Sequence, residues 1–310
     1  MPPLLTSAKT DLRALLNGFS QIFLQCHPGC GALVLLAIAL GAPESLGAAL
    51  LGGLSGQLVA QRRGYAQADI QIGLYGYNGI LLGLLLGHSF AWSPLLALVV
   101  ILGGGASSLL LAPWMRRMRE HQWLPAFTLP FIALGWILLA LPLQLQNGAA
   151  GETTPPDGLS LVSAIARGIG QVVFLDQPLA GVCLWLGLLL ADKRAACWAL
   201  LGSACGLGLA LHLGWPQYGA LVGLHGYNAA LAAVAVSQVN RGPWLPLLAM
   251  VLATLLQPGF AALGLPALTL PFILACWLIT ASQRLLLNAA ADCAPAAQRG
   301  KNLHHPGKTP

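Results

Sequence analysis

LPAFTLPFIALGW, residues 124–136, returns as LPALTLPFILACW at 265–277. Each copy sets a threonine between two prolines at the head of an apolar run. A proline inside a helix removes a hydrogen bond and frees a carbonyl. At membrane depth, freed carbonyls are tolerated only where they find protein partners or line a polar cavity. A single threonine in that setting reads as one bonding back to its own helix. Two of them, Thr128 and Thr269, in matched motifs point instead to a polar path between the two copies.

Outward from this pair the duplication continues. GFSQIFLQCHPGCG (18–31) matches GIGQVVFLDQPLAG (168–181), and GLYGYNGILLGLLLG (73–87) matches GLHGYNAALAAVAVS (223–237). Three matches in the same order indicate two homologous halves. We place the first at 1–146 and the second at 161–290. Between them NGAAGETTPPDGLS (147–160) is polar and turn-rich, and reads as a loop in water. A cytoplasmic tail, 291–310, follows. The start, MPPLLTSAKTDLRALL, lacks the apolar core and cleavage site of a secretory signal and reads as a short cytoplasmic lead-in.

Composition names the solvent. Hydrophobic residues make up 57% of the chain and charged residues 8%, with a mean hydropathy of +0.74. Soluble domains carry about 25% charged residues. Ten apolar blocks follow one another, at 15–41 (broken at Pro28), 45–60, 71–88, 94–112, 124–143, 161–191 (broken at Pro178), 195–211, 218–237, 244–263 and 265–288. The expected fold is an all-α integral membrane protein. Each half has about five transmembrane helices and a re-entrant half-helix around a central pore. The broken segments 15–41 and 161–191 are the candidates for the half-helix.

The net charge of +6 is no sign of nucleic-acid binding, because the basic residues sit singly or in short clusters between apolar blocks. Their placement orients the halves. In half one they lie at Arg62–Arg63 and Arg116, Arg117 and Arg119; in half two they lie in the other loops, at Lys193–Arg194 and Arg241. Halves of the same orientation would put basic loops on both membrane faces. Inverted halves put them all on one, as the positive-inside rule requires. Both termini are then cytoplasmic and the joint 147–160 lies outside. Inverted repeats place a solute path at their pseudo-two-fold axis, near the midplane.

Other residues fit such a path. Gln21 and Gln171 head the first motif pair, and an amide there must be bonded or face water. Leu24 and Phe174 follow each glutamine by three residues. Tyr77 and Tyr227 offer flat faces with polar tips, with Leu81 and Leu231 one helical turn later on the same face. Asn78 and Asn228 can tie loops together. Asp176 reads as the cap of a broken helix. The seven cysteines read as small buried thiols. His27, His88, His121, His212 and His225 lack metal-ligand spacing, and no P-loop, HExxH or GxSxG occurs. We therefore expect no enzyme, metal or cofactor. From the residues alone, the reading is an inverted-repeat channel or transporter for a small neutral solute.

LPAFTLPF and LPALTLPF, with GFSQIFLQCHP, GIGQVVFLDQP, GLYGYNGILLG and LHGYNAAL, resemble the duplicated signature of the urea transporter family, as a bacterial member, over about residues 15–285. The resemblance implies a passive channel for urea, assembled as a homotrimer with one pore per subunit, in the plasma membrane (the inner membrane of a Gram-negative cell). It implies that Gln21 and Gln171 are polar pore positions, with Thr128 and Thr269 at the middle. Leu24, Phe174, Tyr77, Tyr227, Leu81 and Leu231 then build narrow apolar slots, and Ile22 and Val172 contribute backbone oxygens. Leu24 departs from the family in being aliphatic where an aromatic is common, and Ala229 stands opposite Gly79. Members can also pass ammonia, water or close amides. An ion-coupled carrier for a small amide and an ammonia channel are the competing readings.

Overall fold

The computed structural model describes residues 4–141 and 161–292. The joint 147–160 and the chain from 293 on lie outside the described residues. Within them the fold is helical, and no strand forms. The first half contains α1 (Leu4–Gln21), α2 (Pro28–Gly41), α3 (Pro43–Arg62), α4 (Gln67–Gln71), α5 (Tyr77–Ser89), α6 (Pro94–His121) and α7 (Leu129–Ala140). The second contains α8 (Leu161–Gly170) with a 3-10 turn at Gln171–Val173, then α9 (Pro178–Ala191), α10 (Lys193–His212), α11 (Gln217–Leu221), α12 (Tyr227–Val239), α13 (Trp244–Ala262) and α14 (Leu270–Asp292).

Prolines that would break helices in water start them here. Pro28, Pro43, Pro94, Pro130 and Pro178 sit in first turns, where the missing N–H was unpaired anyway. Side chains finish two of these starts: His27 Nδ1 accepts from Cys30 N at 3.1 Å and Ser93 Oγ from Leu96 N at 3.1 Å. Helix α10, which opens without proline, is capped by Asp192 Oδ1, accepting from Arg194 N at 2.8 Å. Asp176 is not such a cap. Pro178 opens α9, so the cap position is Gln177, and Asp176 is exposed one residue too early.

Helices α6, α10, α13 and α14 are long and apolar enough to cross a bilayer, and α8 with its 3-10 turn and α9 form an apolar pair bent by 74°, the geometry of a broken span or a re-entrant segment. Their outer faces carry exposed leucines such as Leu98, Leu102, Leu186, Leu201 and Leu248, which suits contact with lipid rather than water. The chain is a multi-pass membrane protein.

Elements α2 to α6 begin 150 residues before α9 to α13, whereas α7 and α14 begin 141 apart, at Leu129 and Leu270. The nine-residue change has a visible source: α6 has 28 residues and α13 has 19. The extra length of α6 carries Arg116, Arg117 and Arg119.

The apolar blocks 71–88 and 218–237 are not helical throughout. Each opens at or within a short helix (α4, α11), passes through a turn and enters a longer helix (α5, α12). The turns hinge on Gly73 (φ 83°) and Gly223 (φ 88°), a left-handed conformation that favours glycine. Space demands glycine too: a Cβ would lie 2.2 Å from Gly18 N at Gly73 and 2.4 Å from Gly168 N at Gly223. Likewise the blocks at 124 and 265 become helical only at Leu129 and Leu270. Helix α5 is the most enclosed element. All of its 13 residues but His88 and Ser89 are buried, and at ~20 Å it is shorter than the hydrocarbon core.

Equivalent elements of the two halves meet one another. Helices α2 and α9 pack head to tail: Gly29, at the start of α2, faces Leu190 near the end of α9, and Gln177 Nε2 donates to Gly41 O at 3.3 Å at the other end. Midway, Cys183 Sγ reaches the carbonyl of Leu33, its own counterpart, at 3.5 Å. A reciprocal pair follows. Trp136 Nε1 donates to Pro266 O at 2.9 Å, and Trp277 Nε1 donates to Pro125 O at 2.8 Å.

Candidate functional site

The two LPxxTLPF segments are not helical until after the threonine. Thr128 and Thr269 immediately precede α7 and α14, and the residues before them, Phe127 and Leu268, both have φ 44°. A left-handed non-glycine residue costs of the order of 1–2 kcal/mol, so something must hold it. The GYN residues do. The Tyr77 hydroxyl donates to Phe127 O. The Tyr227 hydroxyl donates to Leu268 O at 2.8 Å, joined there by Asn228 Nδ2 at 3.1 Å. Asn78 Oδ1 accepts from Phe131 N at 3.1 Å, and Asn228 Oδ1 from Phe272 N at 3.2 Å. Each half thus clamps its own proline–threonine segment by the same residues. The tyrosine hydroxyls are engaged by these carbonyls.

The clamped segments bring the threonines together. Thr128 Oγ1 and Thr269 Oγ1 lie 2.7 Å apart, each residue 4% exposed. One hydroxyl hydrogen serves that bond, which leaves one donor and several lone pairs to a third molecule. Leu81 and Leu231 are buried in α5 and α12, one turn beyond the tyrosines.

The glutamines end their helices in matched fashion. Leu24 N donates to Gln21 O (2.9 Å) and Gln25 N to Ser20 O (3.2 Å). In the other half Phe174 N donates to Gln171 O (3.2 Å) and Leu175 N to Gly170 O (3.1 Å). This is a Schellman ending, whose left-handed residue is normally glycine. Here it is Leu24 (φ 60°) and Phe174 (φ 62°). Side chains at a position that prefers none are a strained feature of the kind found at functional sites. Each glutamine is half-buried and tied to the following turn: Gln21 Nε2 donates to Ile72 O at 3.0 Å and Gln171 Nε2 to Val222 O at 2.9 Å. No partner among the described residues reaches either Oε1, or the carbonyls of Ile22 and Val172.

Two residues in contact with Leu24 and Phe174 were not singled out by their sequence. His88 stacks on Phe174 (centroids 6.0 Å, 24°), and Phe131 meets the same ring edge-on at 6.5 Å. At the position matching His88, Gln238 Nε2 donates to Leu24 O at 2.8 Å. Both lie ten residues beyond the GYN asparagine, a signal visible only once the halves are aligned. His225 packs on Trp215 at 4.9 Å, away from any grouping of metal-binding side chains among the described residues.

Gln21, Gln171, Thr128 and Thr269 carry side-chain oxygens able to accept, and none of these four is a carboxylate. Such oxygens are complementary to a small neutral N–H donor. A family model described as "Urea transporter" matches residues 12–284. The chain belongs to the urea transporter family. Among similar proteins, "Urea transporter 1" of Ovis aries and that of Rattus norvegicus are each 28% identical over 292 residues, covering 84% of this chain and 74% of the relative. "Urea transporter 1" of Mus musculus is 28% identical over 244 residues, covering 72% and 62%. Members of the urea transporter family are transporters, not enzymes.

Proposed function

We propose that this urea transporter family member is a passive channel conducting urea down its gradient, and that close amides, ammonia and water are the solutes that can share its path. The observation that carries the reading is the contact of Thr128 and Thr269 at 2.7 Å where the two halves meet. Urea is flat and neutral and has four N–H donors. The path runs from the Gln21–Ile22–Leu24 segment, past the threonine pair, to the Gln171–Val172–Phe174 segment. Acceptors along one edge replace water bonds, and the side chains of Leu24, Phe174, Leu81 and Leu231 exclude hydrated ions by size. Tyr77 and Tyr227 hold the slots in shape through the carbonyls they bind. Binding at each station stays weak, so solute leaves as readily as it enters.

The two halves, 1–146 and 161–290, are inverted in this reading. The head-to-tail packing of α2 on α9 supports it, since equivalent helices running in opposite directions need a two-fold axis across them. Basic residues then gather on the cytoplasmic face with both termini, the joint 147–160 lies outside, and the chain sits in the plasma membrane as a homotrimer. The test of mechanism is coupling. Urea uptake into proteoliposomes is measured with a proton or sodium gradient imposed, reversed or absent. Equal initial rates support a passive channel; a rate that follows the ion gradient replaces it with a coupled carrier.

A further inference from the structure

The nine-residue extension of α6 has no counterpart in α13, and it builds a feature the repeat does not contain. A cavity of about 400 Å³ opens there, lined by Trp114, Trp123, Trp277, His121 and Arg284 among others. Trp114 lies parallel to Trp277 (5.9 Å, 11°) and meets Trp123 edge-on at 5.4 Å. The indole N–H groups of Trp114 and Trp277 are occupied by Leu124 O and Pro125 O. That of Trp123 has no partner among the described residues, and the ring is 43% exposed.

The charge around this cavity is uncompensated. Arg284 lines it, one N–H bonded to Gln122 O at 2.6 Å, and the Arg117 guanidinium lies 5.3 Å over the Trp123 ring. The nearby acids are both taken: Glu120 pairs with Arg116 at 2.8 Å, and Asp69 with Arg119 at 2.6 Å. No carboxylate lines the cavity. Two independent rulers give its depth. Trp114 lies twenty residues along α6 from Pro94, ~30 Å at the helical rise, which is the full thickness of the hydrocarbon core. Arg284 lies fourteen residues along α14 from Leu270, beside the threonine pair, ~21 Å against a half-thickness of ~15 Å. The first places Trp114 at the edge of the hydrocarbon, and the second places Arg284 in the headgroup layer.

We propose that this cavity is a binding site for one anionic phospholipid, its phosphate held by Arg284, Arg117 and the Trp123 N–H and its glycerol end resting on the indoles. The depth argument rests on the membrane placement of the proposed function; the binding does not depend on urea transport. The cavity lies on the cytoplasmic face in that placement, where tryptophan belts and anionic lipids both occur. Its wall, residues 122–125, leads directly into Thr128.

The full chain is purified in detergent doped with equal phosphatidylglycerol and phosphatidylcholine, and retained lipid is counted by native mass spectrometry. We expect one phosphatidylglycerol held per chain under conditions that strip phosphatidylcholine. Retention should weaken about fivefold in Arg284→Gln and in Arg117→Gln, the factor for about 1 kcal/mol per cation. Arg117 is exposed and contacts only a ring, so its variant keeps the fold, checked by unchanged urea flux. Equal retention of both lipids, wild-type retention in the Arg117 variant, or displacement by millimolar inorganic phosphate, which would mark a site for free anions, each overturns the proposal.

Discussion

Replacing Thr128 and Thr269 by valine removes both hydroxyls while keeping shape and volume. In the wild type the two oxygens are 2.7 Å apart and nearly buried, and in the proposed path a passing solute meets one or both. A hydrogen bond to a neutral partner is worth about 0.5–1.5 kcal/mol net. Losing one at the narrowest point raises the barrier by about 1 kcal/mol, or roughly fivefold in rate. The two sites are in contact, so their effects are not independent. In each single variant the surviving hydroxyl turns from its partner to the solute and softens the loss. The double variant has no such recourse and should fall by about 2–3 kcal/mol, roughly 30- to 150-fold. Stability should change little, since both hydroxyls leave together and no buried donor is orphaned. Thr128→Ser should run near the wild-type rate. The assay is stopped-flow light scattering of proteoliposomes matched for reconstituted protein. A double valine variant, folded and conducting urea at the wild-type rate, would refute the threonine pair as the centre of the path.

Further outcomes follow from the supporting structure. Tyr227→Phe removes the hydroxyl donor to Leu268 O and should lower Tm by a few degrees, the shift for about 1 kcal/mol in a protein of this size; it should also slow urea, because the strained Leu268 precedes Thr269. Gly73→Ala places a methyl 2.2 Å from Gly18 N at φ 83°, and we expect a loss of monodisperse protein in size-exclusion chromatography well beyond that of an Ala substitution at Gly208, where a Cβ meets nothing. Gln171→Leu removes one amide oxygen and leaves Val222 O without its donor; urea flux should drop about fivefold, while unchanged flux would remove Gln171 from the path.

The duplicated motifs made much of this fold readable. GYN and LPxxTLPF recur, and in each half the tyrosine and asparagine of the first bind the segment of the second. The nine-residue change of offset between the halves was not read from the motifs as an insertion; the structure puts it in α6. Apolar block counting failed at 71–88, because a left-handed glycine is invisible to hydrophobicity; the backbone turned at Gly73 although every neighbour looked like a membrane span. The tyrosines were expected as slot walls, and their hydroxyls proved to be engaged by strained carbonyls, a partnership between segments 50 and 41 residues apart that no local pattern encodes. His88 and Gln238 escaped notice for a related reason, since each acts on the loop of the opposite half. Asp176 was misjudged by a single residue, because the proline fixes where a helix starts more firmly than an acidic side chain does.

One measurement tests the central claim most directly: swelling of proteoliposomes carrying the wild-type chain after a sudden inward urea gradient, with pH and sodium equal on both sides. The account predicts fast re-swelling, far above that of empty vesicles from the same lipid. Swelling no faster than in empty vesicles, with the protein shown to be folded and inserted, would contradict it.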